Sequence, residues 1–326
     1  MKKVIDDAAN YVNQMIDGLV NAEPSLKRLP GTQVVVRAAS EEKVALVSGG
    51  GSGHEPAHAG FVGYGMLDAA VSGEVFTSPT PNQVLDAIKA VDTGKGVLLV
   101  IKNYTGDVMN FEMAAELASA EGIEVEQVIV NDDVAVEDST FTVGRRGIAG
   151  TVFVHKIAGA AAEAGRNLQQ VKSIAQRVID NVHSMGVALS PCTVPSSGQP
   201  SFELGEDEIE IGIGIHGEPG VKRMEWVSAA KIVEMLIAKI FANTPAKPGD
   251  NVAVLINGLG ATPLSELYIA NVSVQKMLQE KGLVVHRTLI GEYMTSLEMA
   301  GFSISVLKLD DEMSDFLDAV TTAPAW

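Results

Sequence analysis

The 326-residue chain has one cysteine, Cys192. That excludes an internal disulfide and fits a reducing compartment. Basic residues are few: 24 Lys and Arg stand against 41 Asp and Glu, for a net charge of −17. Such a balance argues against non-specific binding to nucleic acid or anionic membrane. The opening Met1–Asp7 carries two lysines without the apolar core of a signal peptide, and no run approaches a transmembrane span. A soluble cytoplasmic protein is expected. Also missing are a Gly-x-x-x-x-Gly-Lys-Ser/Thr loop, a Gly-x-Gly-x-x-Gly with its partner lysine, and an evident Mg²⁺-nucleotide cluster. No nucleotide or metal cofactor is therefore expected on this chain, and it should not transfer phosphate from ATP alone.

What is present is 46% hydrophobic residues and 32 glycines, which suit an α/β protein with many tight strand–helix turns. Apolar spacing predicts a helix over 5–22 and strands over 33–36 and 44–47. A helix over 82–91, a buried strand over 96–101, a helix over 108–121 and a strand over 124–130 follow. Helices are expected over 153–164 and 168–185. Strands alternating with helices predict parallel or mixed sheets flanked by helices. The turn-rich stretch 190–200 marks a change of texture, so two α/β domains are expected, 1–184 and 185–326. In the second, 208–215 alternates isoleucine with glycine, predicting a strand with one bare face. A helix over 226–242, a strand over 252–256, a helix over 263–281 and strands over 284–290 and 303–309 complete the pattern.

The most unusual stretch follows Val44–Val47: Ser48-Gly49-Gly50-Gly51-Ser52-Gly53-His54-Glu55-Pro56-Ala57-His58. It predicts a strand, a turn of exposed amides, and a histidine at the mouth of a helix opened by Pro56. Such a turn binds small oxygen-rich ligands, although a plain structural turn is the alternative. His54-Glu55-Pro56-Ala57-His58 formally matches His-Glu-x-x-His, but the proline would leave His54 outside the helix and no third ligand follows, so zinc is disfavoured. A second polar cluster, Lys102–Asp107, ends the 96–101 strand, where ligands of open α/β sheets gather; Asp107 also reads as a helix N-cap. Asp132, Asp133, Glu137 and Asp138 read as a solvated loop rather than a cation site. His155, His183 and His286 have no companions at ligand spacing.

Taken together, Gly49–Pro56, Ile101–Asp107, Thr142–Gly147, Gly214–Gly220 and Asn257–Leu267 resemble the dihydroxyacetone kinase family, in one register over essentially the whole chain. The nearest likeness is to the substrate-binding K subunit of the phosphotransferase-dependent bacterial enzymes. The resemblance implies that His216 binds the substrate carbonyl covalently as a hemiaminal. It implies that His54 and Asp107 act on the substrate, and that Gly51, Ser52, Gly53 and Lys102 contact it. It further implies a homodimer, a separate L subunit carrying ADP and Mg²⁺, and an M protein that recharges that ADP. The segment between Lys239 and Val252 is shorter than in some relatives.

This chemistry is reasonable on its own terms. A nucleophilic nitrogen adds to a ketone or aldehyde but not to an alcohol, so a covalent bond separates dihydroxyacetone from glycerol. An imidazole, with an ordinary pKa of about 6.5, is largely neutral at pH 7. Gly212 and Gly214 are expected to leave space for the adduct. The terminal hydroxyl loses a proton as it attacks phosphorus, and Asp107 or His54 can take it. Two rival functions stand beside the kinase: a coactivator that senses dihydroxyacetone without phosphorylating it, and a Schiff-base lyase using Lys102.

Overall fold

The computed structural model describes residues 2–39, 41–137 and 143–326. Asp138 of the acidic stretch and Thr142 of the 142–147 likeness lie outside the described residues. Two six-stranded sheets are built in chain order. The first contains β1 (Leu26–Arg28), β2 (Val34–Arg37), β3 (Ala45–Ser52), β4 (Ala69–Val75), β5 (Val97–Lys102) and β6 (Val125–Val130). Its order is β1-β2-β4-β3-β5-β6, and β4, β3, β5 and β6 run parallel. The second contains β7 (Val182–Ala188), β8 (Glu208–Ile211), β9 (Lys222–Glu225), β10 (Asn251–Gly258), β11 (Val284–Gly291) and β12 (Gly301–Lys308). Its order is β11-β10-β12-β7-β8-β9, and only β10 and β11 pair in parallel.

Helix α1 (Tyr11–Ala22) packs Val12 and Ile16 into the core. Helices α2 (Pro81–Val91) and α3 (Thr105–Ala120) cover one face of the first sheet, where Val84, Ile88, Phe111 and Ala114 meet Val47, Leu99 and Ile101. Helices α4 (Thr151–Glu163) and α5 (Leu168–Asn181) share one apolar core with residues of both sheets, among them Leu46, Val100, Val128, Leu255 and Leu307. Helices α6 (Ala229–Phe241) and α7 (Leu264–Glu280) pack against the second sheet through Leu236, Ile240, Val274 and Leu278. Apolar side chains removed from water on both sides of a sheet are the main stabilising term in such layering. Helix α8 (Asp311–Asp318) lies against α4, with Lys156 Nζ donating to the Phe316 carbonyl at 2.6 Å. Beyond it the chain returns to the first half: Thr322 N donates to Tyr64 O and Ala325 N to Gly60 O.

Several expectations change. Residues 49–52 are not a turn but the buried continuation of β3, paired with β4 at Val71, Ser72 and Gly73. Glycine is required there for closeness: a Cβ on Gly49 would stand 2.3 Å from Val71 O, and one on Gly51 2.5 Å from Thr77 N. Pro56 opens no helix. His54, Glu55 and His58 are drawn to Thr295 O, Gly53 N and His155, and these tertiary ties override the start signal before a short 3-10 helix, Ala59–Phe61. The helix expected to reach Met185 stops at Asn181, since Val182–Ala188 pairs along β12. The isoleucine–glycine strand ends at Ile211, where Gly212 adopts φ +79° and turns the chain out of the sheet. Asp132 and Asp133 are no solvated loop. Asp132 accepts from Ile148 N and Gly150 N, Asp133 pairs with Arg146, and both are buried.

Candidate active site

A cleft of about 990 Å³ opens where the C-terminal ends of β3 and β5 face the segment that follows β8. Gly51, Phe76, Ser78, Tyr104, Asp107 and His216 are among its lining residues. Thus residues far apart in sequence converge, as they do at strand ends of open α/β sheets. The expected site residues divide into two sets. Gly51, Asp107 and His216 line the cleft, whereas Ser52, Gly53, His54 and Lys102 lie behind its wall. Ser52 Oγ donates to Gly73 O at 2.7 Å, and Gly53 N donates to the Glu55 carboxylate at 3.0 Å.

His216 sits on the segment leaving β8. Its Nδ1 lies 2.6 Å from Glu218 Oε1, and its backbone N donates to Glu218 Oε2 at 2.9 Å. A carboxylate on Nδ1 fixes the proton there and leaves Nε2 with a lone pair. The ring stands edge-on among Tyr104 (centroids 4.6 Å apart), His54 (4.8 Å) and Phe76 (5.2 Å). Its side chain is 19% exposed, enough to meet a ligand. Burial works against the Glu218 charge, but His216 and Arg146 outweigh it and hold the carboxyl down at about 2. The space beside Gly214 is not left for an adduct. Glu218 Oε2 and Arg146 Nη1 lie 2.0 and 2.7 Å from where a Cβ would stand, so charged side chains fill the gap.

His54 is fully buried, its Nδ1 2.7 Å from Thr295 O. The carbonyl can only accept, so Nδ1 carries the proton and Nε2 is a bare lone pair with no partner. Burial, followed by the charges of His216 and Lys102, pushes its pKa well below the usual imidazole value. Lys102 Nζ is buried at the end of β5, 3.8 Å from Asp107 Oδ2 and with no hydrogen bond among the described residues. Burial lowers its pKa, while Asp107 and Glu218 oppose the shift. Asp107 is not an N-cap. Tyr104 occupies that position and Asp107 stands in the first turn of α3, where the helix dipole favours a carboxylate. Ser78 Oγ donates to Asp107 Oδ1. Among the described residues, no three His, Cys, Asp or Glu side chains converge as metal ligands.

Sequence reasoning missed Phe76, Ser78, Tyr104, Arg146, Glu218 and Thr295. Glu218 had a local signal, a carboxylate two residues after the histidine. Thr295 had none, since it meets His54 across 241 positions. His155, expected to stand alone, places Nε2 2.9 Å from His58 Nδ1, and His286 Nε2 lies 2.8 Å from Asp318 Oδ2.

A Dak1 domain matches residues 17–325. Over its full length the chain is 56% identical to the dihydroxyacetone-binding subunit DhaK of PTS-dependent dihydroxyacetone kinase 1 of Listeria innocua, of which it covers 100%. The chain belongs to the dihydroxyacetone kinase family. This dihydroxyacetone kinase family chain is also 45% identical to the corresponding subunit of the PEP-dependent kinase of Escherichia coli, covering 99% of it. Among solved structures, the dihydroxyacetone kinase of C. freundii superposes with a TM-score of 0.92 at 39% identity, all of the present chain matching 60% of that one. The dihydroxyacetone kinase operon co-activator Dha-DhaQ superposes at 0.91, also at 39% identity, over 96% of this family member and 97% of the co-activator. No helix among the described residues is long and apolar enough to cross a membrane.

Proposed function

We propose that the chain is the dihydroxyacetone-binding subunit of a phosphoenolpyruvate-dependent dihydroxyacetone kinase, and that His216 holds the ketone as a hemiaminal. The observation that carries this reading is the His216–Glu218 contact at 2.6 Å, which leaves Nε2 an unprotonated lone pair on a ring that lines the cleft. As Nε2 adds to the carbonyl carbon, a C–N bond forms, the C=O π bond opens, and the oxygen takes up one proton from the buffered solvent, so the adduct carries one proton more than the free ring and ketone. The ring becomes cationic and Glu218 faces that charge, a charge-assisted arrangement stronger than a neutral one.

The captured ketone presents its terminal hydroxyl to Asp107. One carboxylate oxygen is held by Ser78, and the other faces Lys102 and accepts the proton as the oxygen attacks phosphorus. His54 Nε2 lies behind the cleft wall, so His54 acts through His216, against whose ring it packs edge-on at 4.8 Å. Lys102 stabilises negative charge near Asp107, and its place behind the cleft wall tells against a Schiff-base nucleophile. The cleft exceeds what a three-carbon ketone fills, which leaves its mouth for the partner that carries the phosphoryl group. In this reading that partner is an L subunit holding ADP and Mg²⁺, recharged by an M protein, and the chain works as a cytoplasmic homodimer.

The reading is tested by a crystal structure of the chain soaked with dihydroxyacetone and by native mass spectrometry without reductant, with a parallel borohydride arm that fixes only an imine and so reports on Lys102. An adduct on His216 is expected; one on Lys102 revives the lyase. A second reading, a ketone-sensing co-activator, is favoured by the 0.91 superposition on the co-activator named above. It separates from the first when the partner subunit and its phosphoryl relay are added: the kinase subunit yields dihydroxyacetone phosphate and the sensor does not.

A further inference from the structure

Arg146 has no place in the chemistry above, yet its guanidinium is fully buried beside it. It lies between β6 and α4, in the half of the molecule that carries Lys102 and Asp107. Nε and Nη2 approach Asp133 Oδ2 at 2.8 and 2.7 Å, and that aspartate follows β6. From there the fork crosses to the other half. Nη2 donates to Gly212 O at 2.8 Å and Nη1 to Pro219 O at 3.5 Å, which bracket the segment carrying His216. Nη1 also stands at the open side of Gly214 together with Glu218 Oε2. A planar five-donor fork can serve an anion and two carbonyls at once, which a lysine ammonium on a flexible stem does less well.

We propose that Arg146 is a positioning residue for carbonyl capture: it clamps the 212–219 segment to the Asp133 side and holds the Glu218 carboxylate on His216 Nδ1. This rests on the reading of His216 as the carbonyl trap. Asp133 anchors the arginine, the arginine fixes both ends of the segment, and Glu218 fixes the ring. The lone pair on Nε2 then faces the cleft before any ketone arrives. Misplacing a reacting atom by about 1 Å can lower reactivity on the order of 100-fold.

The test uses the full chain with ¹⁵N-labelled histidine and two substitutions, Arg146→Lys and Arg146→Met. In the ligand-free wild type the His216 signal, identified by its loss in His216→Ala, should show the tautomer protonated on Nδ1. Arg146→Met should convert it to a mixture and lower covalently trapped dihydroxyacetone, read by native mass spectrometry without reductant, by roughly 10- to 100-fold. Arg146→Lys keeps the charge without the fork and should shift both readouts in the same direction by less. Should Arg146→Met fail to fold, Arg146→Lys decides. Folded variants that keep the wild-type tautomer and trapping overturn the proposal, as does a loss of trapping with the tautomer unchanged. If the wild type itself traps no ketone, the proposed function fails, while the ligand-free tautomer still reports on Arg146.

Discussion

Two histidine segments of similar sequence, His54-Glu55-Pro56 and His216-Gly217-Glu218-Pro219, meet in this molecule with rings 4.8 Å apart. Each ring fixes its Nδ1 proton, but on different partners. His54 gives it to a backbone carbonyl, and Glu55 turns back to the Gly53 amide. His216 gives it to the carboxylate of its own segment. A carbonyl can set a tautomer but carries no net charge to balance an imidazolium in a buried site, whereas a carboxylate does both. The extra residue, Gly217, at φ +82°, lets the chain fold back far enough for Glu218 to reach the ring. The same three residue types therefore leave a carbonyl-held imidazole in one segment and a carboxylate-held imidazole in the other.

The comparison can be broken most sharply at His216. His216→Ala should abolish the covalent adduct in native mass spectra taken without reductant, while His54→Asn should retain it at a reduced level; the reverse pattern would exchange the two roles. Next in size is Asp107→Asn, which should still trap the ketone but lower turnover, measured with the partner subunit and its relay, by about 10²–10⁴-fold. Near-normal turnover would remove Asp107 as the base.

Glu218→Gln tests the difference between carboxylate and carbonyl directly, since the amide keeps the shape without the charge. Trapping should fall by roughly tenfold, in line with the greater strength of charge-assisted hydrogen bonds. Its pH signature follows from the depressed pKa. The ionised Glu218 stabilises the fold fully above the ordinary carboxylate range, and that contribution is lost as pH falls through about 2. Acid titration by circular dichroism should therefore separate the wild type from Glu218→Gln above pH 4.5, with the gap closing toward pH 2. The smallest effect is expected from Asn167→Ala, which removes the capping box of α5 away from both histidines. It should cost about 1 kcal/mol in denaturant unfolding and leave trapping unchanged.

Much of this was legible in the sequence because it is local. The run Val97–Ile101 is buried on both faces and reads as a central strand, and Thr80-Pro81 with Gln83 gives the α2 start. The glycines after Val47 announced a site but were misread as a turn. What demands them is the approach of Val71 and of the 76–77 backbone, which no window around residue 50 contains. The run 182–185 continues the apolar spacing of α5, and only pairing with β12 makes it a strand. Likewise, Arg146 sits in a stretch that reads as loop. Its worth comes from Asp133, Gly212 and Pro219, which the fold supplies.

The return of the chain to its first half has a consequence for how the molecule forms. The Gly60–Gly65 segment is flanked by residues 320–325, so closely that a Cβ on Gly63 would stand 2.6 Å from Ala323 N and one on Gly65 2.4 Å from Val320 O. During synthesis, which runs from the N-terminus, those partners emerge after both sheets. The first sheet can pair its strands early, but the Gly60–Gly65 segment waits for residues 320–325. A stalled or prematurely cleaved product would therefore expose Phe61, Val62 and Leu67, which are buried in the core of the complete fold. Protease sensitivity near residue 62 in nascent chains, disappearing on release of the full-length product, would be the mark of that delay.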